Sequence, residues 1–133
     1  MFEDDKDNKI YNLIISNGFD KNKEYGQFTE KLYSKVDFLW KESMSGSYAT
    51  AGEEFFNKID AIIILAGLYS DNKETIDELT EAGEKYDIPI VLVRPYGLEE
   101  VPEELENKAA TIVGWNANCI VDSIKSADEM MEE

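Results

Sequence analysis

The residues that can do chemistry in this chain are few, and one type is missing. None of the 133 residues is histidine. That removes Ser-His-Asp and Cys-His catalysis, His-ligated zinc and the commonest general base at neutral pH. Carboxylates, hydroxyls, lysines, one arginine and backbone dipoles remain. Glu74, Asp77, Glu78 and Glu81 fall together in a segment with helical spacing. At about 100° per residue, Glu81 points opposite the apolar stripe of that segment, and Glu74 and Asp77 point mostly to solvent. Glu78 lies nearer the flank of the stripe, so it is the carboxylate best able to lean over neighbouring strand ends. There it can stabilise an oxocarbenium-like centre during N-glycosidic cleavage, as carboxylates do in glycosidases. The plainer reading of all four is a solvated helix face.

Arg94 is the sole arginine and precedes Pro95-Tyr96-Gly97. Its guanidinium can fork onto a phosphate or carboxylate, or pair with a nearby acid. Tyr69, Tyr96 and Trp115 offer stacking faces to a base, although aromatics at strand ends more often close a core. Cys119 is the sole cysteine, which excludes an internal disulfide and suits a reducing cytoplasm. Its setting, NCIVDSI, reads as a helix face carrying a small packed thiol. Asp4, Asp5, Asp7 and Asn8 lack the glycine and distal glutamate of a calcium loop, so no metal site is expected.

The elements that position these residues follow from periodicity. Ile10–Ser16 is a short apolar run, the first strand, with Ser16-Asn17-Gly18 as its turn. Tyr25, Phe28, Leu32 and Val36 form one helical stripe after Asp20, a capping residue. Asp37–Lys41 reads as a second, more polar strand at a sheet edge. The stretch from Ser43 to Gly52 is small and flexible in composition, and Glu53–Lys58 makes a short helix. Asp60–Ala66 holds three successive isoleucines, the mark of a strand buried on both faces. Gly67, Leu68, Tyr69 and Ser70 turn into a helix reaching Tyr86, with Ile76, Leu79, Gly83 and Tyr86 on one stripe. Pro89–Val93 is the fourth strand. A short helix starts after Val101, Ala110–Gly114 is the fifth strand, and Asn116 can cap a last helix striped by Ile120, Ile124, Ala127 and Met131.

Composition bounds the rest. Hydrophobic residues at 43% are enough for a real core, and residues 1–133 read as one domain with an acidic, mobile tail over 1–9. A formal charge of −16 repels nucleic acid and anionic membrane and most simply serves solubility, a basic protein partner being the alternative. No secretion signal and no membrane-spanning run are seen, so a cytoplasmic location is expected. The oligomeric state is not readable.

Strict alternation of strand and helix implies right-handed crossovers and a parallel sheet covered on both faces. The expected fold is α/β, a flavodoxin-like three-layer sandwich of five parallel strands in the order 2-1-3-4-5. Ligands of such sheets sit at the carboxyl ends of the strands. The candidate rim is therefore Ser16, Asn17 and Gly18, then Gly67, Tyr69 and Ser70, then Arg94, Tyr96 and Gly97, and finally Trp115 and Asn116. No G-x-G-x-x-G follows the first strand and no Walker loop exists, so a dinucleotide held in the Rossmann manner is not expected. Receiver-type aspartyl phosphorylation needs an aspartate after strand three, an acidic pair after strand one and a lysine after strand five. Those places hold Ala66-Gly67, Ser16-Asn17 and Gly114-Trp115.

The segments DAIIILAGLY, the helix with Glu78, Leu79 and Ala82, PIVLVRPYG, VPEEL and IVGWNANCIVDSI together resemble the TIR-like domains grouped with the Thoeris anti-phage defence protein. The likeness is greatest to small archaeal flavodoxin-like members of that group, and it covers about Asp60 to Ile124. It implies the same five-stranded sheet. TIR enzymes cleave or cyclise NAD through a glutamate on the helix after strand three, and Glu78 falls near that place. Glu74 stands where the family usually has an aromatic, and Asn17 follows Ser16 where a histidine or tyrosine is usual. The nucleoside deoxyribosyltransferases share the layout, but their surrounding motifs are absent here.

The expected function is a non-catalytic TIR-like signalling or interaction module with a small-ligand site at the strand ends. The alternative is an enzyme acting on NAD or a nucleotide, with Glu78 as the carboxylate, Ser16 and Asn17 near the sugar and Arg94 at phosphate. No cofactor is firmly implied. A flavin carrier is disfavoured because the loop after strand one lacks a phosphate grip rich in serine and threonine.

Overall fold

Five short apolar runs pair side by side into one sheet, Ile10–Ile15 (β1), Leu39–Glu42 (β2), Ala61–Leu65 (β3), Ile90–Val93 (β4) and Thr111–Val113 (β5). The computed structural model describes residues 10–16, 23–35, 38–43, 51–65, 73–94, 103–107, 109–114 and 116–132, with the backbone alone for 23–25, 104–105 and 127–132. Every strand pairing is parallel, and the order is β2-β1-β3-β4-β5, as the alternation of strand and helix predicts. The helices are Lys23–Tyr33 (α1), Glu53–Phe56 (α2), Lys73–Tyr86 (α3), Glu103–Glu106 (α4) and Ala117–Glu132 (α5).

Successive strand residues point to opposite faces, and each face finds its own helices. Tyr11, Leu13, Ile15, Ala61, Ile63, Leu65, Val91 and Val93 pack with Phe28 and Leu32 of α1 and Ile120, Val121 and Ile124 of α5. Ile14, Ile62, Ile64, Ile90 and Leu92 pack with Phe56 of α2 and Ile76, Leu79 and Ala82 of α3. The isoleucine run of β3 is thereby explained, since all five of its residues are buried. Each such aliphatic side chain contributes about 1.5–3 kcal/mol on leaving water.

Two expectations need correction. The second strand begins at Leu39, two residues later than the sequence pattern suggests. Phe38 belongs to the turn after α1, where its N–H donates to the Lys35 carbonyl at 3.2 Å and its ring stacks on Tyr11 at 5.2 Å. Cys119 is exposed, not packed. The buried residues of α5 are Ile120, Val121 and Ile124, and Cys119 lies about 150° around the helix from their mean direction. The expected tail at 1–9, Val36 and residues 44–50 of the expected loop lie outside the described residues.

One polar side chain breaks the apolar run of β1. Asn12 is buried, and its Nδ2 donates to the Lys58 carbonyl at 2.9 Å while its Oδ1 accepts from the Ser43 hydroxyl at 2.6 Å. Its backbone N–H donates to Asp60 Oδ2, and the Asp60 N–H donates back to the Asn12 carbonyl, both at 2.8 Å. Asn12 thus ties β1 both to the residue that follows β2 and to the turn that precedes β3.

The carboxyl end of α3 is equally specific. The Ile88 N–H reaches back to the Gly83 carbonyl at 2.9 Å, and Asp87 between helix and strand has φ 58°. This is the six-to-one bond of a Schellman motif, with aspartate where glycine is usual. Gly83 itself lets α3 approach β4 closely. A Cβ there would sit 2.8 Å from Ile90 Cδ1 and 3.1 Å from the Ile88 carbonyl oxygen.

Two stability predictions follow from these contacts. Asn12→Leu removes the two side-chain ties while keeping the branched shape, and loses about 1–3 kcal/mol of unfolding free energy in urea titration. A variant as stable as the parent would remove Asn12 from this role. Gly83→Ala gains about 1 kcal/mol of helix propensity but meets a fixed carbonyl, an overpacking cost of about 1–3 kcal/mol. The expected net is a lower urea midpoint, and a raised midpoint contradicts the close approach.

Candidate functional site

The carboxyl ends of the strands place Ser16 after β1, Arg94 after β4 and Asn116 two residues beyond Gly114, which follows β5. The other rim candidates, Asn17, Gly18, Gly67, Tyr69, Ser70, Tyr96, Gly97 and Trp115, lie outside the described residues. Ser16 and Arg94 stand on strands separated only by β3. Two strand spacings put their backbones about 10 Å apart. By alternation both belong to the face carrying Ile14 and Leu92, which is the α3 face.

Ser16 is only 3% exposed. Its N–H donates to the Ile63 carbonyl at 2.9 Å, continuing the ladder, and its Oγ accepts the Leu65 N–H at 2.9 Å. The hydroxyl therefore caps the last N–H of β3. Its hydroxyl proton and one further lone pair are what it has left to offer a ligand.

Arg94 is anchored through its backbone, whose N–H donates to the Val113 carbonyl at 2.9 Å. Its side chain is exposed and makes no ion pair or hydrogen bond among the described residues. Of the two sequence readings, the pairing with a nearby acid is not what the described residues form. The guanidinium fork is open to solvent at the strand end.

Asn116 does what its sequence position suggests. Its Oδ1 accepts the Cys119 N–H at 3.0 Å and its carbonyl accepts the Ile120 N–H at 2.9 Å. That is the N-cap of α5, a role worth about 1 kcal/mol, and it commits the acceptor end of the carboxamide.

Glu78 is half-buried, whereas Glu74 and Glu81 on the same helix are exposed. Asp77 is paired with Lys73 at 3.5 Å, an exposed i,i+4 contact. Glu78 is five positions along from Lys73, the first residue of α3. At 1.5 Å per residue it sits about 7.5 Å along the axis from the helix end nearest the strand carboxyl ends. Thr80 beside it is buried, and its hydroxyl donates to the Asp77 carbonyl at 2.9 Å. No group of three or more potential metal ligands occurs among the described residues, and no helix among them is long and apolar enough to cross a membrane.

Sequence reasoning missed the Asn12 cluster and the structural duty of Ser16. The signal for Asn12 was a lone amide inside IYNLII, where an unpartnered polar group would be costly.

Ser16→Ala tests the cap directly. Removing Oγ leaves the buried Leu65 N–H unpaired and lowers unfolding free energy by about 1–3 kcal/mol, read by urea titration. Unchanged stability would assign the hydroxyl elsewhere. Comparison with known proteins bears on the fold alone. No protein-family model matches the chain, and no curated protein matches it. A solved structure of a response regulator receiver protein from Pseudoalteromonas atlantica is similar to it, with 16% identity, 92% of this chain and 99% of that chain covered, and a TM-score of 0.53. At that identity the likeness shows a shared architecture, and with the observed strand order it gives this chain a flavodoxin-like α/β fold.

Proposed function

We propose that this chain is a TIR-like signalling or interaction module that catalyses no reaction, with a site for a small anionic ligand at the carboxyl ends of its strands. The observation that carries this reading is the Ser16 side chain. Its oxygen accepts the Leu65 N–H with one lone pair, so the hydroxyl nearest the sheet's switch point is held in place by the backbone. The second committed polar group is Asn116, which caps α5. Arg94 supplies the one exposed guanidinium at the rim, a fork suited to a phosphate or carboxylate.

Receiver chemistry is not part of the proposal, although a receiver shares the fold. β3 ends at Leu65, and the chain continues with Ala66 and Gly67, neither of which can accept a phosphoryl group. Ser16 and Asn17 replace an acidic pair after β1, and Gly114 and Trp115 follow β5 with no lysine.

A second reading is kept because of Glu78. It is half-buried, as Asp77 beside it is, on the helix that follows β3, a place from which a carboxylate could serve NAD or nucleotide cleavage. Incubation with NAD at high protein concentration distinguishes the two. The module reading expects no nicotinamide release from either the parent or Glu78→Gln. Release by the parent that Glu78→Gln abolishes would replace it with the enzyme reading. Release that survives Glu78→Gln would retain an enzyme and move the catalytic group elsewhere.

A further inference from the structure

Three large hydrophobic residues are exposed among the described ones, Ile10 at 57%, Tyr33 at 71% and Leu39 at 44%. They flank β2 from its two faces, Ile10 and Leu39 on one and Tyr33 on the other. Ile10 and Leu39 are register partners in β1 and β2, and the Tyr33 ring lies 5.0 Å from that of Trp40 in β2. β2 is one of the two outer strands of the sheet. The Ser43 N–H donates inward to the Leu13 carbonyl. Alternation then turns the backbone groups of Leu39 and Lys41 toward β1 and those of Trp40 outward, away from the sheet. Trp40 Nε1 is also a buried side-chain nitrogen with no hydrogen-bond partner. Apolar side chains on both faces flank an open backbone donor and acceptor.

Charge says what can cover this edge. Among the described side chains from α1 through β2, Glu30 and Glu42 are acidic and Lys31, Lys35 and Lys41 are basic, whereas the whole chain has 29 acids against 13 bases. Lys41 is exposed on the strand itself, Lys31 lies on α1, and the Lys35 amine reaches Asn118 of α5. A basic partner is drawn to the acidic remainder, not to this lysine-bearing edge. Two copies, each at −16, repel one another everywhere except where their charge is nearly balanced.

We propose that β2 pairs antiparallel with β2 of a second copy, about a two-fold axis at Trp40, to give one continuous ten-stranded sheet. The outward backbone groups fix the parity of the register. Centring on Lys41 would set two lysines directly opposite, which is destabilising. Centring on Trp40 lets the two Trp40 residues exchange both backbone hydrogen bonds and sets Leu39 against the stem of the second copy's Lys41. On the other face, Trp40 and Tyr33 of one copy meet those of the other. Four residues are a short strand and Lys41 is an edge guard, so the association is weak.

Sedimentation equilibrium of the full chain from about 1 μM to about 1 mM reads the association directly. A monomer–dimer equilibrium is expected, tightening as salt rises from about 0.01 M to about 1 M and the screening length falls from about 30 Å to about 3 Å. Leu39→Lys sets like charges opposite at both cross-strand pairs and weakens the dimer at least about tenfold. The double variant Leu39→Lys with Lys41→Glu restores opposite-charge pairs and returns the constant to within about threefold of the parent. Far-UV circular dichroism verifies that each variant folds, and hydrogen exchange at the Trp40 amide slows with concentration in the parent. A parent that stays monomeric at the highest concentration and salt overturns the proposal. So does a dimer indifferent to Leu39→Lys, or a double variant as weak as the single one.

Discussion

Burial of β3 on both of its faces is the constraint from which the rest of the structure follows. A strand with no polar side and no open edge must have a neighbour on each flank and a helix layer above and below. β1 and β4 supply the flanks. Phe28, Leu32 and the α5 isoleucines supply one layer, and Ile76, Leu79 and Phe56 the other. Parallel connections through such layers are right-handed as a rule, and the observed order puts the fully buried Ala61–Leu65 at the centre of the sheet with its carboxyl end at the rim.

That same arrangement limits chemistry. A parallel sheet delivers its reactive groups at strand ends, where the last backbone donors of each strand also need acceptors. In this chain the competition between those two demands is resolved for the backbone at two of the three described rim residues. Ser16 closes β3, and Asn116 starts α5. Only Arg94 leaves its side chain unengaged among the described residues. The absence of histidine compounds the effect, since no side chain here titrates near neutrality without a shifted environment.

Much of the fold was legible because its signals are strong and local. Three consecutive isoleucines, a proline opening β4 and striped helices specify a doubly covered parallel sheet with few competing layouts. The boundaries of β2 were less legible, because Phe38 looks like a strand residue and its engagement with Lys35 and Tyr11 is tertiary. Cys119 was misplaced because a helix face read from a small residue is ambiguous. The true stripe is set by Val121 beside Ile120 and Ile124. At the site, sequence located Ser16, Arg94 and Glu78 on the correct elements. It could not show that the Ser16 oxygen is already occupied, since that bond joins residues 49 positions apart.

The bond between Ser16 and Leu65 has a mechanical consequence. It joins the ends of two neighbouring strands at the same rim, Ser16 after β1 and Leu65 closing β3. A group that draws the Ser16 side chain toward itself leaves the Leu65 N–H without an acceptor. The free-energy link between the two strand ends is then of the order of one buried hydrogen bond, about 1–3 kcal/mol, comparable to the coupling between sites in many allosteric proteins. A displacement of Ser16 at one strand end would thereby cost the neighbouring strand the partner of its last backbone N–H.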